Sequence, residues 1–225
     1  MGASTPAIDD VRRRLADLPA IDAPSVRAVR RHYTKELATA EPAAVLRFVQ
    51  ALLTDRGWAE RVVAWEVLAG HDGAFRLIDD GVAQEMASGL SDWASVDLYG
   101  CTVLGQAWRE GLVTDSLILG WTQSPDRWLR RLALVTTVPL NLRSRGGTGD
   151  TKRTLRVCRA LLDDRDDMVV KALSWSLRQL AGFDPRAVKS FLVKEDARLA
   201  ARVKREVLHK LTTGLKSPRR KKDGT

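Results

Sequence analysis

Cysteine is scarce: Cys101 and Cys158 are the only two in 225 residues, far apart and in no CxxC pair. Neither a disulfide framework nor a zinc site is therefore expected. Histidine is equally thin, with His32, His71 and His209 scattered along the chain, so the sequence calls for no metal and no other cofactor. No apolar run is long enough to span a bilayer, and the N-terminus lacks a signal-peptide hydrophobic segment. The expectation is a cytoplasmic protein with no membrane contact. Alternating β-branched runs are missing, whereas apolar residues recur at helical spacing, which excludes a sheet and predicts an all-α fold. Aromatics are few, but seven of them are Trp against four Phe and two Tyr. Where the Trp residues fall is the informative question.

Charge is what the chain has in excess. Lys and Arg outnumber Asp and Glu by 37 to 28, a formal net charge of +9, which favours a polyanionic partner. Part of this lies in the tail, where Lys216, Arg219, Arg220, Lys221 and Lys222 follow one another closely. The expected organisation is one domain over residues 1–213 followed by a basic disordered tail over 214–225. The remaining charge falls within predicted helices, where position counts for more than number.

Taken in order, Ile8 to Leu18 reads as a short helix carrying Arg12, Arg13 and Arg14. Asp22-Ala23-Pro24 opens the next, whose apolar stripe is Val26, Val29, Tyr33 and Leu37. Glu41-Pro42 starts a third, with Val45, Phe48, Val49 and Leu52 turned inward, and Asp55-Arg56-Gly57 breaks it. From there a theme returns: a polar turn with Asp or Ser leads into Trp, and a basic residue often follows one turn later. Trp58, Trp93 and Trp128 are each 35 residues apart. Fainter copies surround Asp166 to Lys171 and Arg202 to Arg205. Partner helices are expected over residues 74–90, 114–123, 150–162 and 184–194, and the stretch 143–149 as a mobile basic loop.

A period of this length, built from helix pairs without strands, predicts a HEAT-like α-solenoid, a right-handed superhelix of antiparallel helix pairs with a concave basic groove. The Trp-led helices would line that groove. Trp58, Arg61 and Trp65 share one face, as do Trp128 and Arg131, then Lys171, Trp175 and Arg178, then Arg202, Arg205 and His209. Basic groups neutralise phosphates and aromatic faces lie against sugars or bases. The alternative for Trp58 and Trp65 is packing between repeats, with Arg residues near helix ends pairing with neighbouring acids.

The stretch Ser91 to Asp97 stands out, because one helical turn sets the Trp93 ring beside the Asp97 carboxylate. Together with Trp128-Leu129-Arg130-Arg131, Lys171-Ala172-Leu173-Ser174-Trp175-Ser176-Leu177-Arg178 and Lys204-Arg205-Glu206, it resembles the AlkD-type DNA alkylation-repair glycosylases, which are built from HEAT-like repeats. The resemblance runs from about Pro24 to Leu211. It implies a bacterial-type, nucleoid-associated enzyme that excises positively charged N3- and N7-alkylated purines from duplex DNA, as a monomer and without a cofactor. Trp93 and Trp175 would flank the deoxyribose, Asp97 would be the catalytic carboxylate, and Arg131 would contact a phosphate. Phosphate contacts are also expected from Lys171, Arg178 and Arg205.

Two features depart from that family. The stretch ahead of Ile21 is Arg-rich and has no aromatic residue, and a Gly-rich segment extends the chain between Arg131 and Trp175. The residues alone leave two further functions open. One is a non-catalytic HEAT-repeat protein that grips bent, damaged or branched DNA, and the other is a scaffold for protein partners. An anion among phosphate-binding groups favours the enzyme, since pure binding gains nothing from it.

Overall fold

The computed structural model describes residues 8–54 and 57–215. The Asp55-Arg56 break and the basic tail from Lys216 onward lie outside the described residues. Among the described residues the chain is helical throughout, with no strand. It divides into two compact units, with the boundary between Leu117 and Ile118.

The first unit is built around one helix that is apolar on nearly every side. Helices α1 (Ile8–Ala16), α2 (Ala23–Glu36), α3 (Pro42–Leu53) and α4 (Trp58–Ala69) follow the spacing read from the sequence. In α2, Asp22 accepts the Ser25 backbone N–H at 2.9 Å and Pro24 sits in the first turn, both ordinary starts for a helix. Val26, Val29, Tyr33 and Leu37 are buried as the stripe requires, and so are Val45, Phe48, Val49 and Leu52 of α3. Helix α4 packs against α1, α2 and α3 and buries Ala59, Arg61, Val62, Val63, Ala64, Trp65, Val67 and Leu68. A helix apolar all round belongs in the middle of a core.

The partner expected as one helix over residues 74–90 is two, α5 (Asp72–Phe75) and α6 (Asp80–Ala87). Asp79 causes the division: its carboxylate accepts the Val82 N–H at 2.8 Å and starts a new helix. Helix α7 (Trp93–Tyr99) then runs into a π-helical segment at Gly100–Leu104 and on into α8 (Gly105–Arg109). The Gly105 N–H reaches back five residues to the Gly100 carbonyl, a wider turn often found at functional sites. Helix α9 (Asp115–Trp121) carries the chain across the boundary.

The second unit contains α10 (Arg127–Thr136), α11 (Thr151–Ala160), α12 (Asp167–Leu180), α13 (Pro185–Lys194) and α14 (Ala201–Thr213). Helix α12 is central, packing on α10 and α14 with α11 and α13 also against it. Asp126, Asp150, Asp166 and Asp184 each cap the helix that follows them. The recurring Asp before each helix is thus a start signal.

The basic stretch 143–149 is anchored, where a mobile loop was expected. A 3₁₀ turn at Arg143–Arg145 forms its first part, and another at Pro139–Asn141 lies just ahead of it. Asn141 is buried, donates to Thr137 O at 3.0 Å and Thr154 Oγ1 at 2.7 Å, and accepts from Asp150 N at 3.0 Å. A side chain at Gly147 would collide with the Pro139 and Leu140 backbone, so the glycine serves close approach. Arg143 lies over the Phe183 ring at 4.9 Å.

Candidate DNA-facing site

In the first unit, Trp93 opens α7 and is 58% exposed, unusually open for so large a ring. Asp97 follows one turn later on the same helix and is half-buried. Successive turns of a helix bring such positions to one face, so an aromatic surface and a carboxylate stand together where solvent meets the protein. Behind them the helix is fixed. Val96 and Tyr99 are wholly buried, and Tyr99 donates from its hydroxyl to Ala83 O at 2.9 Å.

Two of the residues placed in the groove by the sequence turn inward. Trp65 is fully buried and stacks on Tyr99, ring centres 5.1 Å apart. Arg61 is 4% exposed and donates to Ser95 Oγ at 2.7 Å, Gly89 O at 3.1 Å and Asp92 Oδ2 at 3.4 Å. The packing alternative describes them correctly: the Trp58, Arg61, Trp65 face of α4 meets α7, and only Trp58 keeps appreciable exposure. Asp92 holds the first turn of α7 by accepting Ser95 N at 2.8 Å. Partial burial works to raise the Asp92 carboxyl, but the Ser95 backbone and hydroxyl, with Arg61 behind them, outweigh it and hold it below its usual range.

In the second unit the candidate basic residues differ sharply in what they face. Arg131 is buried on α10 and donates to Met168 O at 2.6 Å, reaching the first turn of α12. Arg178 is 8% exposed; its Nε meets Ser174 O and Oγ at 3.2 Å, and its guanidinium lies 3.8 Å from Glu206. Burial pulls the Arg178 pKa down, against the pull of Glu206. Lys171 and Arg205 are exposed, and Trp175 is half-buried on α12 one turn after Lys171.

Acids to which the sequence assigned no site role thread between these cations. Asp167 accepts from Lys171 and from Arg202, both at 2.6 Å. Glu206 accepts from Ser174 Oγ at 2.6 Å and has Arg202 at 3.7 Å. The Lys171 hydrogen bond, more than any other neighbour, pulls the Asp167 carboxyl below its usual range. Face by face this part of α12 and α14 is a mixed network, with cations a phosphate could claim only in competition with Asp167 and Glu206. The i, i+4 spacing of Asp167 and Lys171 was the available signal.

The family described as DNA alkylation repair enzyme matches residues 17–211, nearly the whole chain. The chain belongs to the DNA alkylation repair enzyme family. The match spans both units and takes in Trp93, Asp97, Arg131, Lys171, Trp175, Arg178 and Arg205. Among curated proteins, none matches the chain. As a member of the DNA alkylation repair family the protein has a role in DNA repair, with DNA as its partner. No helix among the described residues is long and apolar enough to cross a membrane.

Proposed function

We propose that the protein is a DNA glycosylase that hydrolyses the N-glycosidic bond of N3- and N7-alkylated purines in duplex DNA. The observation that carries this is the pairing of an exposed Trp93 with the half-buried Asp97 one turn later, on a helix held from behind. An N-alkylated purine already bears a positive charge, so it leaves without protonation and no strong general acid is needed. What remains of the barrier is cationic character growing at the sugar's anomeric carbon. A carboxylate fixed beside that carbon stabilises the charge and orients the attacking water. A Trp face adds cation–π attraction and keeps bulk water away.

Asp97 is the proposed catalytic residue and Trp93 the aromatic surface against the deoxyribose; the resemblance assigns Trp175 a like role. This chemistry uses no cofactor, and the protein is proposed to act as a monomer. The 35-residue Trp spacing and the alternation of α10, α12 and α14 with α11 and α13 support reading the helix pairs as HEAT-like repeats. Among the four basic candidates, Lys171 and Arg205 present charge to solvent, so phosphate contact is proposed chiefly for them. Arg131 and Arg178 contribute mainly from beneath the surface.

The test is incubation with duplex DNA holding a single N7-methylguanine, followed by alkali to cut at any abasic site. Strand cleavage at the lesion alone supports the glycosylase. Tight binding without cleavage would hand the protein to the non-catalytic reading, a module that grips damaged or bent DNA.

A further inference from the structure

Behind the Trp93–Asp97 surface the first unit buries the charge of Arg61. A guanidinium taken out of water must find acceptors there, since an uncompensated buried charge is strongly destabilising. Three acceptors of Arg61 lie within one short stretch. Gly89 O, Asp92 Oδ2 and Ser95 Oγ lie at 3.1, 3.4 and 2.7 Å, all between the left-handed turn at Gly89 (φ 73°) and the first turn of α7. Asp92 and Ser95 also hold each other, through the Ser95 N–H at 2.8 Å. The three residues close a ring around the start of the helix, with Trp93 between Asp92 and Ser95. One turn further along α4, Trp65 stacks on Tyr99. Helix α4 therefore grips α7 at both ends, and Trp93 and Asp97 stand between the two grips.

We propose that Arg61 is a positioning residue that sets the first turn of α7, and through it the placing of Trp93 and Asp97, a role that presupposes the glycosylase function above. The physical chemistry sets this apart from simple core stability. An apolar side chain of similar length would fill the same space without a buried charge, and such replacements are often neutral or stabilising. What it could not do is bond three acceptors at fixed angles. The planar fork of Arg does so, and the single ammonium of Lys does so only in part.

The experiment compares the unaltered chain with Arg61→Met and Arg61→Lys by three measurements. The first is native-state hydrogen exchange at the amides of residues 95–97. The second is single-turnover release of 7-methylguanine over a range of protein concentrations, and the third is the denaturant midpoint. In Arg61→Met the α7 amides should exchange faster while those of α2 and α3 do not. The saturating release rate should fall about tenfold or more, as small misplacements of reacting groups do, with half-saturation and midpoint little changed. Arg61→Lys should recover part of both losses. Unchanged exchange at residues 95–97 would overturn the clamp, and loosened amides with an undiminished rate would overturn its effect on the site. If the unaltered protein releases no base, the glycosylase function fails, and the positioning role with it. Exchange then still decides whether Arg61 holds α7.

Discussion

Trp65 and Trp93 show how differently one residue type can serve. Trp65, fully buried and stacked on Tyr99, is core. Trp65→Ala should cost about 3–5 kcal/mol of stability, the usual range for emptying a large aromatic site, read as a lower denaturant midpoint. Trp93 is exposed and adds little packing, so Trp93→Ala should leave the midpoint near its original value and lower the release rate. A midpoint that falls as far as for Trp65→Ala would make Trp93 structural. Asp10 supplies a prediction in pH. Chiefly the Arg14 hydrogen bond, then that of the Tyr33 hydroxyl at 2.6 Å, hold its carboxyl down at about 2. A depressed carboxyl stabilises the fold above its ordinary value, and the contribution fades as pH falls through the folded one. The docking of α1 on α2 should therefore persist at pH 3.5 and fail near pH 2, followed by Tyr33 fluorescence or amide exchange in α1. In Asp10→Asn it should lose this dependence.

At the scale of elements, the acids of α12 and α14 decide how much of the basic character reaches DNA. Asp167→Asn removes an anion shared by Lys171 and Arg202, so duplex affinity should rise and its salt dependence should steepen. Each further cation committed to a phosphate adds about one unit of slope. An unchanged slope would place these residues away from DNA. Arg178→Ala should instead lose about 1–3 kcal/mol of stability through its lost charged hydrogen bonds, and Arg205→Ala should leave stability alone while flattening the slope.

Much of this layer was legible in advance. The stripes of α2 and α3 are strict 3.6-residue patterns, and the Asp residues ahead of α7, α10 and α12 announced helices that they in fact cap. What was not legible followed from tertiary contact. The shared face of Trp58, Arg61 and Trp65 looks the same in sequence whether it meets solvent or another helix, and here α7 covers it. The break at Asp79, by contrast, was marked by Asp79-Asp80-Gly81, a helix start signal that the reading of residues 74–90 as one helix passed over. The loop at 143–149 looked mobile because its glycines read as freedom, whereas Asn141 and Gly147 use them for tight packing. That Trp93 opens a helix, with Asp97 one turn further along it, followed from the spacing and the Asp92 cap alone.

For the molecule as a whole, the net charge of +9 should make binding to any duplex salt-dependent. Removing residues 214–225 should weaken binding to damaged and intact duplexes alike, since tail charges carry no lesion selectivity. Selectivity for a lesion belongs to chemistry, and the chemistry proposed for this member of the DNA alkylation repair family comes down to one carboxylate. Asp97→Asn keeps the shape of the side chain and removes its charge. The most direct measurement is single-turnover release of 7-methylguanine from a duplex with one lesion, by the unaltered chain and by Asp97→Asn, beside a binding titration for each. The expected result is release by the unaltered chain and a loss of about a hundredfold to a thousandfold in Asp97→Asn, the cost of a preorganised electrostatic contact, with affinity held or raised. Equal release rates for the two would contradict it.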